Sequence, residues 1–340
     1  MEPYRSRISN KIDVHTHLLA DTDCILHLMD RQGIEKSVLL AMGMDSPEVL
    51  KYNESICFKQ VRNHPTRLAV MLTFDLSRMD ENNYVSLETE RLERGKQAGA
   101  VGIKVSKELG LFARDRAGDL IAVDDPRLDP IWDKAGELEL PVLIHIADPP
   151  AYWRPVDEDN PWRVLLGEMT GWVYHGRECF PSFDELIHRR NNILRRHPNT
   201  IFIGAHLGSC AWDMEVADVA ANLEEFPNFH VDASAVVDEI GRHPETTRGL
   251  FMKYSDRIMH GTDLVILSAW ESPKEIEGWT DDMEQRLSSI FRFYETSDEE
   301  IPPTEPRLRD WNIKGIDLPD DVLRRIYYEN ARRIIFGMGQ

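Results

Sequence analysis

Short β-branched and apolar runs alternate with helix-length amphipathic segments along most of this chain, which is the pattern of repeated βα units. The runs Lys11–His17, Lys36–Ala41, Leu68–Phe74, Val101–Val105, Pro141–Ala147, Ile201–His206, Phe229–Ala235 and Ile258–Asp263 read as strands. Helical periodicity covers Asp23–Gln32, Pro47–Asn63, Asn82–Ala98, Arg127–Glu139, Phe183–His197, Ala211–Phe226 and Pro244–Tyr254, with a helical close at Asp320–Phe336. Parallel strands joined by helices cannot be edged by simple hairpins, and eight of them predict a closed (β/α)8 barrel of the TIM type, distorted by insertions. Proline punctuates the repeat: His64-Pro65, His197-Pro198, Phe226-Pro227 and Leu140-Pro141 precede strands, whereas His243-Pro244 opens a helix.

The remaining residues gather in three long connections, Ser106–Pro126, Asp148–Ser182 and Leu264–Pro319, which follow strands four, five and eight. In such a barrel, connections that follow strands lie at the C-terminal face, where active sites are built. Extra length there points to function, although the acidic, proline-rich stretch 298–310 also reads as a solvated excursion. At 340 residues the chain suits one barrel domain, 1–340, with room for these insertions.

The charge balance narrows the partners. A net charge of −19 repels nucleic-acid phosphates and anionic headgroups, so nucleic-acid and membrane-surface binding are disfavoured. No apolar run is long enough to span a bilayer, and the start MEPYRSRISN lacks an apolar signal-peptide core, so a cytoplasmic setting is expected. Cys24, Cys57, Cys179 and Cys210 are far apart in the chain and are expected to be buried free thiols.

Chemistry concentrates at the strand ends. His15 and His17 are two apart on the first strand and share a face, with Asp13 one layer deeper. Two imidazoles on one face make half a metal site. His145, His206 and Asp263 end strands five, six and eight, so their side chains can converge on the barrel axis. There is no phosphate-cradling G-x-x-x-x-G-K-[ST] and no G-x-S-x-G nucleophile motif.

D-x-H-x-H on strand one, histidines ending strands five and six, and an aspartate after Gly261-Thr262 together resemble the amidohydrolase superfamily, in particular its amidohydrolase 2 group. The resemblance runs from Lys11 to about Gly337. It implies that His15, His17, His145 and Asp263 hold one divalent metal, with zinc the expected ion, and that His206 works beside it. Relatives by this resemblance are often dimers, so a homodimer is a possible assembly.

Such a site would activate water on the metal, with Asp263 as general base and His206 steadying the oxyanion or protonating a leaving group. The expected activity is therefore hydrolysis of a small polar, carboxylated substrate. The same residues equally resemble metal-dependent non-oxidative decarboxylases, and a catalytically retired binding barrel is the third reading. Lys104, on strand four, should face an anion: substrate, a carboxylate or, in a binuclear variant, a second metal. Asp232 and Ser234 are expected to hydrogen-bond His206 or Lys104. In the loop after strand five, Arg154, Arg163 and Arg177, interleaved with Tyr152, Trp153, Trp162, Tyr174 and His175, suit a ring or sugar face plus a carboxylate, or else a lid packed on its own aromatics.

Overall fold

A computed structural model describes residues 3–210, 216–269, 272–305 and 311–338. The strands are β1 Lys11–Leu18, β2 Ile34–Leu40, β3 Leu68–Leu72, β4 Gly102–Val105, β5 Val142–Ile144, β6 Phe202–Gly204, β7 Phe229–Asp232, β8 Ile258–Met259 and β9 Leu264–Ile266. They form one sheet in the order β8-β7-β6-β5-β4-β3-β2-β1-β9, and each pair of neighbours is parallel. Strands buried on both faces are what helical crossovers produce, and every residue of β1 is buried.

The ends of this sheet meet. The eighth strand, expected as one run over Ile258–Asp263, is broken into β8 and β9, and the break is where the barrel closes. There Val14 N–H donates to the His260 carbonyl at 3.1 Å, and Asp263 N–H donates to the His15 carbonyl at 2.8 Å. The chains approach so closely that a Cβ on Gly261 would lie 2.9 Å from His15 Cβ and 3.0 Å from Ser234 Cβ. Asp13 fastens the seam by accepting from Thr262 N–H at 3.0 Å and from the Thr262 hydroxyl at 2.6 Å.

Helices Ile25–Gln32, Pro47–Asn63, Tyr84–Gln97, Asp129–Glu137, Phe183–Arg196 and Pro244–Lys253 match the expected positions. The helix expected over Ala211–Phe226 is found as Ala217–Glu225, its first residues, 211–215, lying outside the described residues. Strand residues Val38, Leu40, Met71, Leu143, Ile203 and Met259 form an apolar cluster with Ile334 and Ile335 of the closing helix, beneath the histidines.

The connection after β9 corrects the sequence reading. Where a long loop over Leu264–Pro319 was expected, Pro273–Glu295 is a helix. Ser272 caps it: its hydroxyl accepts from Glu275 N–H while the Glu275 side chain accepts from Ser272 N–H, a reciprocal capping box ahead of proline at the first turn. Its acidic face meets Arg31, which pairs with Asp281 at 2.7 Å and Glu284 at 3.1 Å. Part of the acidic stretch 298–310, residues 306–310, lies outside the described residues. Cys24 and Cys57 are buried as expected, but Cys179 is exposed and Cys210 half-buried. No described helix is long and apolar enough to cross a membrane.

Candidate metal centre

Three donors converge at the C-terminal mouth of the barrel. His15 Nε2 and His17 Nε2 are 3.2 Å apart, and Asp263 Oδ1 lies 3.3 Å from the first and 3.4 Å from the second. Tetrahedral coordination with bonds of about 2.0–2.1 Å places ligand atoms about 3.3–3.4 Å from one another, so the spacing fits a cation at their centre. Asp263 reaches this position because its backbone adopts φ 55°, in the left-handed region just after the strand break.

The surroundings prepare these donors. Burial pushes the His15 pKa down to about 4, with the Lys104 ammonium adding to the effect, so the ring is neutral and keeps a lone pair. Its Nδ1 is 3.0 Å from Asp232 Oδ2, an orientation that puts the proton on Nδ1 and turns Nε2 toward the cluster. Burial opposes ionisation of Asp263, but His15 and His17 overcome it and hold the carboxyl well below its usual range. Asp232 is likewise held low, against its burial, by His15 and hydrogen bonds.

His145 and His206 join the cluster's rim. Their ring centroids are 4.5 Å apart at an interplanar angle of 81°, and the His206 ring lies 5.1 Å from that of His15. His145 Nε2 is buried without a hydrogen-bond partner among the described residues and lies 3.8 Å from Asp148 Oδ1, an environment in which its lone pair could serve a cation. Burial, with His206 and the two nearby lysines, pushes its pKa well down. His206 sits in an unusual turn: His206, Leu207, Gly208 and Ser209 all have positive φ, between 53° and 70°. The turn is held by Arg190, wholly buried, which donates to the Gly208 carbonyl and lies 4.9 Å over the Phe229 ring. His206 Nδ1–H donates to the Ser234 carbonyl at 2.9 Å, and His206 N–H to Asp232 Oδ1 at 3.2 Å.

Lys104 is buried with Nζ 3.5 Å from His15 Nε2, and burial pushes its pKa down to about 8. Asp232 and Asp263 oppose that fall, and the ammonium sits beside the donors. Asp232 and Ser234 do support His206 as expected, and both also contact His15.

Above the donors opens a cleft of about 220 Å³, onto which His145, His206 and Asp263 face. Tyr152, Trp162 and Trp172 line it. Behind those rings the loop after β5 packs on its own aromatics, Trp153 against Tyr174 at 4.6 Å and Tyr174 against Phe180 at 4.7 Å. Arg154, Arg163 and Arg177 are exposed and do not line the cleft; Arg177 covers the Phe180 ring instead. Among the described residues the cations that do line it are Lys107, a candidate from sequence, and Arg286, which was not one. A larger hollow of about 730 Å³ lies at the other end of the strands, by Pro141, Ile201 and Phe336, and carries none of these histidines.

A parallel (β/α)8 barrel with an imidazole–carboxylate cluster at its C-terminal mouth defines a class of metal-dependent barrel enzymes. Within that class the chain belongs to the amidohydrolase family, whose family model matches residues 12–336. Solved structures agree on the fold. The 2,6-dihydroxybenzoate decarboxylase from Rhizobium is 17% identical, with a TM-score of 0.57 over 98% of this chain and 100% of that one. A dihydroxybenzoic acid decarboxylase from Polaromonas, with bound manganese and the inhibitor 2-nitroresorcinol, is 16% identical, with a TM-score of 0.57 over 97% of each chain. A 4-oxalomesaconate hydratase from Rhodopseudomonas palustris is 13% identical, with a TM-score of 0.53 over 96% of this chain and 95% of that one.

Proposed function

We propose that this protein is a divalent-metal-dependent carboxy-lyase that removes carbon dioxide from a ring-bearing carboxylic acid. The observation that carries this reading is the cleft itself, onto which His145, His206 and Asp263 face and whose walls include Tyr152, Trp162 and Trp172. Flat aromatic walls favour a flat conjugated ring. Two of the similar structures, by their names, act on dihydroxylated benzoic acids, which supports the same class.

Non-oxidative decarboxylation breaks the bond between the ring carbon and its carboxylate, leaves the electron pair on carbon, and puts a proton there as carbon dioxide departs. The protein must therefore deliver a proton to carbon. His206 is assigned that role, because its ring lines the cleft while its Nδ1–H is committed to the Ser234 carbonyl, which leaves Nε2 to carry the mobile proton. Asp263, held ionised, orients the donors and keeps a carboxylate opposite that histidine. A divalent cation bound by His15, His17 and Asp263, with His145 beside them, would supply Lewis-acid polarisation of the acid's oxygens. Zinc is the ion proposed from these donor types, and manganese accepts the same set.

Hydrolysis, the expectation drawn from the donor types alone, would use the same residues; the aromatic walls favour the carboxy-lyase reading. The test is incubation of protein supplied with Zn2+ or Mn2+ with a panel of hydroxylated benzoic acids, measuring carbon dioxide and ring absorbance. We expect equimolar carbon dioxide, lost in His206→Asn and Asp263→Asn. A product that has gained water with no carbon dioxide released would overturn the reading.

A further inference from the structure

We propose that Arg286 is the specificity-determining residue of the cleft, anchoring a second anionic group on the substrate, away from the carboxylate that is lost. This rests on the carboxy-lyase reading and names its substrate class: aromatic acids with two anionic substituents rather than one.

Arg286 stands on the helix Pro273–Glu295 and lines the same cleft as His145, His206 and Asp263. Among the described residues its Nε is buried with no hydrogen-bond acceptor, and its ion pair to Glu305 is loose, Nη1 to Oε1 at 3.5 Å. An arginine presents its Nε edge as half of a side-on fork that matches the two oxygens of a carboxylate. Glu305 touches the guanidinium from the other end, so that edge is without its natural partner. A buried donor left unmet is unfavourable, and a carboxylate arriving in the cleft would satisfy it.

Lys107, which also lines the cleft, cannot do this. Lys107 Nζ is taken by both oxygens of Asp148, at 2.6 and 2.7 Å, and lies 4.3 Å over the Trp172 ring. Tyr174 also donates to Asp148 at 2.5 Å, which fixes that carboxylate in place. The segment that carries Glu305 is itself pinned, because Asp238 accepts from Thr304 N–H at 2.7 Å and from the Thr304 hydroxyl at 2.9 Å. Glu305 is thus a tethered carboxylate at the Nη1 end of Arg286, and it leaves the Nε edge to an anion on the substrate.

The experiment is calorimetric titration of the Mn2+-supplied protein with benzoate and with benzene-1,3-dicarboxylate, which needs no turnover. The wild type should bind the dicarboxylate about 10–100-fold more tightly, the range expected for one charged hydrogen-bonded pair. Arg286→Gln should abolish that preference and leave benzoate affinity unchanged, which also shows that the variant is folded. Arg286→Lys, which keeps the charge but loses the fork, should retain only part of it. Equal affinities in the wild type, or an undiminished preference in both variants, or equal weakening of both ligands, would overturn the proposal. If the preference behaves as expected while no aromatic acid loses carbon dioxide, Arg286 keeps its role and the reaction reading fails.

Discussion

Replacing Asp232 by asparagine tests whether the metal centre depends on a tautomer. Asp232 is fully buried and uses its two oxygens differently. Oδ1 accepts from His206 N–H, Ser234 N–H and the Ser234 hydroxyl, whereas Oδ2 faces His15 Nδ1 at 3.0 Å. An asparagine side chain keeps its oxygen on the side with three donors, which turns its NH2 toward His15. Two donors cannot share that contact, so His15 must move its proton to Nε2, the nitrogen 3.3 Å from Asp263 Oδ1. That nitrogen then has no lone pair for a metal. Loss of such a supporting carboxylate typically weakens metal binding 10–100-fold, about 1.4–2.7 kcal/mol. Competition between the protein and a chromophoric chelator for Zn2+ measures this directly. An Asp232→Asn variant that binds Zn2+ within two-fold of wild type would refute the argument, as would nitrogen-15 spectra showing the His15 proton still on Nδ1.

Two further outcomes follow from other buried groups. Burial pushes the pKa values of His230 and His260 down to about 3, whereas in the unfolded chain they titrate near 6.5. Between those values the unfolded state binds protons the folded state refuses, so their contribution is complete above pH 6.5 and is lost as the pH falls, by about 1.4 kcal/mol per pH unit for each histidine. Urea midpoints at pH 7 and pH 5.5 should show the decline, with a shallower slope in His230→Gln; equal midpoints would contradict it. Arg190→Met removes the buried donor to the Gly208 carbonyl, and the left-handed turn that holds His206 should relax. Turnover should fall more than ten-fold while Zn2+ affinity stays within two-fold of wild type, because the three converging donors are untouched; unchanged turnover would show that the turn holds itself.

Much of this architecture was legible because most of the clustered side chains lie on or just past the end of a strand. His15, His17, His145 and His206 could be placed at the mouth from parity and spacing alone, since a barrel brings its strand ends together whatever the loops do. Asp263 was found for the same reason, although the strand break that turns it inward was not. Left-handed backbone at Asp263 and across His206–Ser209 leaves no mark in a pattern of apolar and polar residues. The helix Pro273–Glu295 did carry signals, the Ser272-Pro273-Lys274-Glu275 start and the buried row Thr280, Leu287, Phe291 and Tyr294, but its many acids resembled a solvated connection. Arg154, Arg163 and Arg177 were chosen by loop membership, and which loop cations face a cleft is decided by packing between distant segments. Arg286 could be assigned only once that helix was known to flank the donors.

The seam between β1 and β9 also governs how the chain can be made. Asp13 and Thr262, which fasten it, are 249 residues apart in sequence. On a ribosome adding roughly 5–20 residues per second, β1 waits roughly ten to fifty seconds for the strand that covers its second edge. Throughout that interval one flank of a strand that ends wholly buried has unpaired backbone groups, which is a template on which nascent chains aggregate. Newly made protein should therefore depend on chaperones until about four-fifths of it has emerged, and truncations that end before β9 should be insoluble even though they retain His15, His17, His145 and His206.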